Sequence, residues 1–528
     1  MGLQRLLLYS SIVLFSMLAC TSPEQEPTHA YLSLNLGAEP SFLNPVLHSD
    51  GTSSSVTGLL FNGLMKVNEN LEMEPDLCEK VTVSTDGLRY TFSLKRNVRW
   101  HDGIPFTADD VVFTFDTILS PKTNTVRRSS YIINGKAIQY RAIDRHTVEV
   151  TLPQPFAPFL TSMGIGILPK HRLINTDINT ADFNRNPIGT GPFRFVEWRP
   201  SQYLRLEKNL DYFAVPVKLN GILFKIIPDK NTARISLQSG ELDIESAIQA
   251  KDVPILRSQK HLDLYTYYSM GYTYMGFNLT KYPFNDRRFR LAISHAINRN
   301  AIVKSVLKGY GKPAILPSSS ELWAYPDNPD QMHVYNYAPE KSKALIEDMG
   351  YTFNAQTQFY EKNGKPLQFT ILTNKGNKYR EKSAVIIQRF LQNVGIQVSI
   401  QLMEWSTFIK QMNDSDAFDA VIIGWGLGID PDSFSIWHSS QYPKGFNYIA
   451  YNNPTVDTLL EQGRVTINKE KRKKIYAAMY KSITYDIPYY FLYHSQVISA
   501  VNARVGGIDT TPGPLGIIQD IEDIYIKP

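Results

Sequence analysis

The sequence predicts an α/β protein with mixed β-sheets flanked by helices, and three observations carry that prediction. Segments with period-two alternation of apolar and polar residues, typical of strands, alternate with amphipathic helical segments along the chain. The length of 528 residues is enough for roughly two or three domains. The composition, 43% hydrophobic and 20% charged, is that of an ordinary globular protein, and no internal repeat is evident.

The first half of the chain carries recognisable start and stop signals. Asp102-Gly103 supplies a turn, Thr107 is placed to cap a helix, and Gly240 ends another helix. The predicted elements are a strand at 30–37, a helix at 53–67, a strand and turn at 89–103, a helix at 107–119, a strand at 145–155, and a helix followed by a strand at 231–244.

The second half has the pattern of a separate βαβ domain. Phe289, Ala292, Ile293 and Ala296 recur at helical spacing, and Gly309 ends the pair of helices to which they belong. The predicted elements are two helices within 285–311, single helices at 339–351, 380–395 and 468–486, and strands at 367–373, 396–404 and 418–425.

The N-terminus has the pattern of a secretory signal peptide over residues 1–19. One positive charge, Arg5, precedes an apolar stretch, and small Ala19 precedes Cys20. The alternative, a transmembrane anchor, is disfavoured because the apolar stretch is shorter than the ~20 residues that span a bilayer. The ending MLAC resembles a bacterial lipobox, which implies that Cys20 is lipidated and that residues 20–29 form a polar tether on a membrane.

Charge and cysteine content exclude several classes of protein. The net charge of +5 is dispersed, without a cluster of basic residues, so a nucleic-acid partner is not expected. The only cysteine besides Cys20 is Cys78, which is interpreted as a small buried residue. The ten histidines form no helical pairs or Cys/His clusters, so we expect neither a metal site nor a cofactor.

Residues 419–432, DAVIIGWGLGIDPD, pose a specific question. Val421 to Ile423 have the pattern of a buried strand, and the indole of Trp425 then stands between two glycines, Gly424 and Gly426. Glycine leaves the main chain bare, so another main chain could approach closely at this point. The alternative is that Trp425 belongs to the core and that the glycines only bend the strand.

Several motifs closely resemble one family. The segment YTFSLKRNVRWHDGIPFTADDVVFTFD at 90–116 is similar to the signature of the extracellular solute-binding proteins of family 5, the oligopeptide and dipeptide receptors of ABC importers. The resemblance covers nearly the whole mature chain. Its further segments, in order, are 186–198, 227–244, 275–303, 337–351 and 425–432.

The resemblance implies a two-lobed fold of the type II periplasmic-binding-protein class, cluster C, with an extra inserted subdomain. Lobe I would consist of 30–61, 188–284 and 493–528, with the inserted subdomain at 62–187. Lobe II would be 285–492. The lobes would close over a ligand by rotation near 280–286 and 490–496.

The resemblance also implies ligand-binding residues. In peptide-binding relatives the ligand lies in the cleft as an added strand, so Gly424, Trp425 and Gly426 would receive its main chain. The loop 48–55 would form a second edge. The residues implied in this loop are Ser49, Gly51 and Ser53, and the alternative is that 48–55 is a plain surface loop. Tyr131 is implied to cover the ligand.

The charged anchors of the family are where this sequence departs from it. Relatives hold the ligand ammonium with an aspartate at the position occupied here by Gly428. Asp430 is a candidate substitute, although the segment DPDSF could equally begin a helix capped by Asp432. Lys378 and Arg380 are candidates for the ligand carboxylate, or simply solvated cations.

The expected function is therefore a lipid-anchored, monomeric receptor in the bacterial cell envelope that delivers oligopeptides to an ABC permease. Enzymatic activity is not expected, because no Gly-x-Ser-x-Gly elbow or His-Glu-x-x-His helix occurs. Because this aspartate is missing, a non-peptide ligand is still an alternative, for example an oligosaccharide, a metal chelate or a cell-wall fragment. An adhesin or a chaperone that reuses the scaffold is a further alternative.

Overall fold

The structure is a computed structural model that describes residues 31–413, 417–443, 445–509 and 512–527. The predicted signal peptide, the tether and Cys20 lie outside the described residues. Cys78 is buried and its thiol donates to the Leu64 carbonyl at 3.1 Å, as expected for a small core residue. Within the described ranges, no helix has both the length and the apolar character that a bilayer crossing requires.

The strands are numbered in chain order. The first are β1 (Tyr31–Asn35), β2 (Met65–Val67), β3 (Met73–Pro75), β4 (Cys78–Val83), β5 (Arg89–Leu94), β6 (Ile132–Ile133), β7 (Lys136–Ala137), β8 (Gln139–Asp144), β9 (Thr147–Thr151), β10 (Phe193–Arg199), β11 (Tyr203–Lys208), β12 (Gly221–Lys225), β13 (Ile244–Glu245) and β14 (Leu262–Tyr268). The others are β15 (Gly271–Phe277), β16 (Gly311–Pro313), β17 (Thr352–Asn354), β18 (Phe359–Lys362), β19 (Lys365–Pro366), β20 (Gln368–Asn374), β21 (Gln397–Met403), β22 (Ala420–Gly426), β23 (Tyr489–Asn502), β24 (Val505–Gly506) and β25 (Tyr525–Ile526).

The helices are numbered in the same way. They are α1 (Gly51–Leu60), α2 (Ala108–Leu119), α3 (Phe159–Ser162), α4 (Lys170–Leu173), α5 (Lys230–Gln238), α6 (Val253–Arg257), α7 (Arg287–Ala296), α8 (Arg299–Val306), α9 (Pro339–Asp348), α10 (Lys378–Asn393), α11 (Trp405–Met412), α12 (Phe434–Trp437), α13 (Pro454–Val465) and α14 (Lys469–Asp486).

The long strand β23 connects the two lobes of the molecule. The main sheet has the order β10-β11-β12-β1-β13-β23-β15-β22-β20-β21. The C-terminal part of β23, from Gln496 to Asn502, pairs with β14, whereas its N-terminal part pairs with β15. Strands β14 and β15 follow one another in the chain and pair with successive parts of β23. The chain therefore passes from the first lobe to the second at Ser269–Met270 and returns to the first lobe near Ser495.

The hydrophobic cores follow this division. One large core runs from Leu32 to Ile244 and is completed by residues near the C-terminus, while the cores of the second lobe begin at Tyr272. The boundary at 284/285 implied by the family resemblance therefore differs from the observed one, since β15 already pairs with β22 of the second lobe. Within 62–187, a sheet of order β4-β5-β9-β8 stands apart from the main sheet and shares the core of the first lobe.

Most of the elements predicted from the sequence are confirmed. Thr107 caps α2, and the Asp110 carboxylate accepts a hydrogen bond from the Thr107 amide at 2.9 Å. Gly240 and Gly309 follow α5 and α8 with positive φ, as chain-reversing glycines do. The helix predicted at 53–67 is different: α1 begins earlier, at Gly51, and ends at Leu60, after which Met65–Val67 forms a strand.

The segment 189–192 fixes the end of α1. A Cβ on Gly189 would lie 1.7 Å from the Leu60 carbonyl oxygen, and one on Gly191 would lie 2.4 Å from that of Leu59. The Gly191 amide donates to the Leu60 carbonyl at 2.9 Å. These glycines therefore allow a close contact that holds α1, whose exposed face lines the cleft.

Candidate ligand-binding cleft

A cavity of about 1000 Å³ lies between the lobes, since both contribute to its lining. This volume is at the upper end of the range typical of small-molecule sites. The first lobe contributes one face of α1, formed by Ser54, Thr57, Gly58 and Phe61 at helical i, i+3, i+4 and i+7 spacing. The second lobe contributes the segment that follows β22, together with residues of α12 and α13.

The predicted edge at 48–55 is the N-terminus of α1 and only in part a loop. The Asp50 carboxylate caps this helix and accepts from the Ser53 amide at 2.7 Å. The Ser53 side chain is buried and its hydroxyl donates to Asp50 at 2.8 Å, while Ser49 and Gly51 are exposed. The lining residues of this segment are the neighbours His48 and Ser54. A contact of Ser49, Gly51 or Ser53 with ligand stays a prediction.

Tyr131 borders the cavity, but its hydroxyl is already engaged. The ring is 2% exposed, and the hydroxyl donates to the Ser162 carbonyl at 2.7 Å. Burial raises the pKa of this phenol well above its usual value. Tyr131 can therefore offer a ring edge to a ligand, and its role in covering a ligand stays a prediction.

Strand β22 has a free edge at its C-terminal end. On one side β22 pairs with β15 along its whole length, as far as the pair Gly271 and Gly426. On the other side, pairing with β20 ends at Thr373 and Ile422. Lys375 then turns away, and its amide donates to the Met403 carbonyl of β21 at 2.7 Å. In the described part of the sheet, residues 423–426 have no partner strand on this side.

The direction of the backbone groups follows from the alternation of an antiparallel ladder. The Leu427 amide donates to the Met270 carbonyl at 2.7 Å, so Leu427 and Trp425 direct their backbone groups toward β15. Gly424 and Gly426 direct theirs to the opposite side. There the Thr373 hydroxyl already donates to the Ile422 carbonyl at 2.8 Å. Both glycines therefore lie on the open edge.

The two glycines serve different purposes. A Cβ on Gly424 would lie 2.8 Å from the Tyr272 carbonyl oxygen, so glycine is needed there for packing against β15. A Cβ on Gly426 would have nothing within 4 Å. Gly426 is exposed, and the space beside it is open.

Trp425 is half-buried and lies among aromatic side chains. Its ring plane is nearly parallel to that of Tyr448, with centroids 6.1 Å apart, and to that of Tyr274, with centroids 6.4 Å apart. Phe446 lies at 5.7 Å. The indole also lines a smaller cavity of about 220 Å³. Gly428, Asp430 and Phe446 line both cavities, so the smaller one adjoins the large cleft.

The acidic residues after β22 are paired with arginines of the same lobe. Arg472 donates to both oxygens of Asp430, at 2.8 and 2.9 Å. Arg464 donates to Asp432 at 2.9 Å, and burial raises the pKa of the Asp432 carboxyl while Arg464 opposes that effect. Asp432 also accepts from the Phe434 amide at the start of α12. The assignment of Asp430 to a ligand ammonium stays a prediction.

Arg380 and Lys378 have different surroundings, although both stand at the start of α10. Lys378 is exposed and pairs with Glu381 at 2.8 Å. Arg380 is largely buried, and its guanidinium donates to the Asn374 side chain at 2.8 Å. One terminal nitrogen of Arg380 would lie 3.3 Å from a Cβ on Gly424. Burial lowers the pKa of Arg380, and among the described residues no carboxylate pairs with it.

Among the lining residues of the first lobe that sequence reasoning did not single out are the basic residues His48 and Arg127. Arg127 belongs to an Arg-Arg pair in a short 3₁₀ turn, and nothing in the sequence tells which arginine faces the cleft. It also missed Phe446 and Arg464. Arg464 lies at the end of α13, a helix that the sequence analysis did not predict.

The lobes touch at one mouth of the cleft. The Ala157 amide of the first lobe donates to the Arg464 carbonyl at 2.7 Å, and the Arg464 guanidinium lies 5.4 Å from the Phe156 ring centre. Lys469 forms an ion pair with Glu72 beside them. These contacts join the inserted subdomain to the second lobe.

Two lobes joined by a shared strand, with a ligand-sized cavity between them, define a two-lobed solute-binding protein. No group of His, Cys, Asp and Glu side chains in the described ranges is arranged to hold a metal ion. The chain belongs to the family described as "Bacterial extracellular solute-binding proteins, family 5 Middle", whose model matches residues 72–446. The resemblance inferred from the sequence is thereby confirmed.

Known relatives cover nearly the whole chain. The oligopeptide-binding protein AppA of Bacillus subtilis (strain 168) is 35% identical over 481 residues, which is 90% of this chain and 88% of that protein. The structure of AppA from Bacillus subtilis in complex with a nonapeptide superposes with a TM-score of 0.78 and 33% identity, over 94% of this chain and 99% of that one. NikZ from Campylobacter jejuni in complex with Ni(L-His) gives a TM-score of 0.80 and 30% identity over the same shares.

Proposed function

We propose that this protein captures peptides in the cleft between its lobes and that the open edge of β22 receives the peptide main chain. The observation that carries the proposal is the end of the β20–β22 pairing at Ile422, which leaves Gly424 and Gly426 without a partner strand on that side in the described structure, with open space beside Gly426. A sheet edge of this kind offers N–H and C=O groups to an added strand. The similarity to an oligopeptide-binding protein and to a nonapeptide complex supports the same ligand class.

Arg380 is proposed as the partner of a ligand carboxylate at this edge. Its guanidinium is largely buried beside Gly424 and has no carboxylate partner among the described residues. A desolvated cation gains most from a charge-assisted hydrogen bond with an anion. Because Lys378 is exposed and paired with Glu381, it contributes less in this account.

Delivery to an ABC permease follows from closure of the lobes. A ligand that contacts both walls binds the closed form more tightly than the open form and so favours closure, and the permease recognises the closed form. The mature chain acts as a monomer in the cell envelope, held on a membrane by a lipid on Cys20. The exported location is supported by the extracellular family and by the signal-like N-terminus.

Native mass spectrometry of the purified mature protein, followed by calorimetry with peptides of two to nine residues, tests the proposal. Saturable peptide binding without cleavage is expected. Arg380→Gln should weaken binding of free-acid peptides roughly tenfold or more and leave binding of amidated peptides nearly unchanged. Lys378→Gln is the matched control, since it removes the same charge from the same helix turn. Failure of every peptide to bind the wild-type protein would contradict the proposal.

A second candidate ligand is a metal chelate, because the NikZ structure contains Ni(L-His) and is 30% identical to this chain. Such a ligand brings its own coordinating atoms, so it needs no cluster of protein side chains around the metal. Aromatic faces such as Trp425 and Phe446 could pack against it. The same calorimetry with nickel and histidine distinguishes the two: only the chelate account predicts saturable binding of Ni(L-His) in the absence of peptide.

A further inference from the structure

Two consecutive arginines in the first-lobe wall have opposite environments. Arg128 donates to the carbonyls of Ile118, Ser120 and Thr123, at 3.1, 2.5 and 2.6 Å, and so anchors the turn after α2. Arg127 lines the large cavity. In the described structure, the one hydrogen bond of its side chain is a long one of 3.3 Å from Nη2 to the His48 carbonyl, and its buried Nε has no partner there.

The position of Arg127 is fixed by its main chain. Its amide donates to the Thr125 hydroxyl at 3.0 Å, and that hydroxyl donates to the Val46 carbonyl at 2.6 Å. The turn that carries Arg127 is therefore tied to the segment before α1. The backbone that carries this guanidinium is therefore preorganised, and a bound ligand does not have to order it.

The neighbouring His48 adds no charge to this wall. Its Nε2 lies 3.0 Å from the Thr57 hydroxyl, and that hydroxyl also donates to the Ser53 carbonyl. Burial and the nearby Arg127 cation lower the pKa of His48 to about 4, so the ring is neutral near pH 7. Its Nδ1 is buried without a partner in the described structure.

The charges that line the cleft do not balance. Asp430 is paired with Arg472, and Asp432 is paired with Arg464. Among the described residues that line the large cavity, Arg127 is left as the charged side chain without a counter-ion. An unpaired cation in a partly desolvated cleft selects for an anion, and a planar guanidinium matches a carboxylate with two parallel hydrogen bonds.

We infer that Arg127 forms a second anion subsite, on the first-lobe wall of the cleft, and that it binds a carboxylate of the peptide ligand. The inference rests on the proposed peptide-binding function and narrows it, because it adds a carboxylate contact on the first-lobe wall; a side chain as the source of that carboxylate would make acidic peptides the preferred ligands. The carboxylate comes either from an aspartate or glutamate side chain or from the C-terminus of the peptide. Arg127 would then contribute to selection among peptides, whereas the edge of β22 binds any main chain.

A set of double-mutant cycles measured by calorimetry tests this inference. The probes are soluble nonapeptides of alanine, glycine and serine that carry one glutamate at each position in turn, the matching glutamine peptides, and the C-terminal amides. The proteins are the wild type, Arg127→Gln, Arg127→Lys and Arg172→Gln. Arg172 is exposed in the same lobe, so its substitution makes the same charge change away from the cleft.

One carboxylate of the peptide should depend on Arg127 for its contribution to binding. Replacing that carboxylate by a neutral amide is expected to weaken binding about tenfold in the wild type and in Arg172→Gln, but less than twofold in Arg127→Gln. Arg127→Lys keeps the charge and should retain part of the coupling. If the glutamate-to-glutamine change shows this dependence on Arg127, the carboxylate is a side chain. If the change from C-terminal acid to amide shows it, the carboxylate is the C-terminus.

Two outcomes would overturn the inference, and they differ. If peptides bind and every carboxylate contributes equally in the wild type and in Arg127→Gln, the subsite is refuted and the peptide function stands. If no peptide binds the wild type, the proposed function fails and the subsite fails with it.

Discussion

Arg472 donates two parallel hydrogen bonds to Asp430, from Nη1 to Oδ2 at 2.9 Å and from Nη2 to Oδ1 at 2.8 Å. The side chains are 6% and 15% exposed, so the pair is nearly buried at the border of the cleft. A buried pair of this kind is costly to break from one side, because the remaining charge has no compensation.

We predict that Arg472→Met lowers the free energy of unfolding by about 3 kcal/mol, because it leaves Asp430 as an unpaired buried carboxylate. The double variant Asp430→Asn/Arg472→Met should recover much of that loss, since neither charge remains. Chemical denaturation at pH 7 measures both. If the loss in the double variant equals the sum of the losses caused by Arg472→Met and by Asp430→Asn alone, the two residues act independently and the prediction is wrong.

His101 should make the stability of the first lobe depend on pH. Its Nδ1 accepts from the Gly189 amide and its Nε2 donates to the Gly191 carbonyl, both at 3.1 Å, so both nitrogens are used in the neutral form. Burial lowers the pKa of His101 to about 4. Between that value and the ordinary value of 6.5, the unfolded chain binds a proton that the folded chain does not.

Stability should therefore fall as the pH decreases from about 6.5 toward 4, with His101 contributing about 1–2 kcal/mol of the loss by pH 5. His48 contributes in the same direction. Unfolding free energies of wild type and His101→Gln, measured at pH 7 and pH 5, test the share of His101. Equal losses in both proteins would contradict the assignment.

Gly426→Leu should impair ligand binding without unfolding the protein. A Cβ at this position has open space around it, so the cost to stability should stay within about 0.5 kcal/mol, as for other surface substitutions. The larger side chain would occupy space beside the open edge of β22, and peptide affinity should fall about tenfold or more. Gly426→Ala is the size control and should have a small effect. Undiminished peptide affinity in Gly426→Leu would mean that the ligand lies elsewhere.

The ion pair of Lys469 with Glu72 should favour the closed arrangement of the lobes slightly. Both side chains are about half exposed, so the pair contributes roughly 0.2–1 kcal/mol. Lys469→Glu would place two carboxylates across the mouth of the cleft and should weaken ligand binding up to about fivefold. Small-angle scattering of the ligand-free protein should show a larger radius of gyration.

Lys473→Glu is the matched control for this change, because Lys473 pairs with Asp327 within the second lobe. The same charge reversal there should leave both the affinity and the radius of gyration unchanged. Equal effects of the two substitutions would indicate a general influence of net charge, without a role for the contact between lobes.

The sequence predicted those parts of the fold that local signals specify. Thr107 and Asp110 cap α2, and the apolar spacing of Phe289, Ala292 and Ile293 marks the buried face of α7. It did not predict α13 (Pro454–Val465), although Asn453 caps this helix and Val456 and Leu460 lie on its buried face. It also did not show that β23 belongs to two sheets, because that depends on pairing between distant strands.

The open edge of the candidate site was predictable because it depends on the main chain, whereas the surroundings of its charged residues were not. The glycines around Trp425 marked the open edge because bare backbone is visible in a sequence. The partners of Asp430 and Asp432 were not visible, since Arg472 and Arg464 come from α14 and the end of α13. For the same reason, the sequence could not tell that Arg380 and Arg127 lack counter-ions in the described structure while Lys378 has one.

Main-chain pairing at β22 is tested most directly by N-methylated peptides. A ligand strand directs the backbone groups of alternate residues toward the sheet edge, so only every second amide can pair with β22. Calorimetry should compare a nonapeptide with two analogues, methylated on odd or on even amides. We predict that one analogue loses at least about tenfold in affinity while the other binds nearly as well as the parent. Equal affinities for all three peptides would contradict the account.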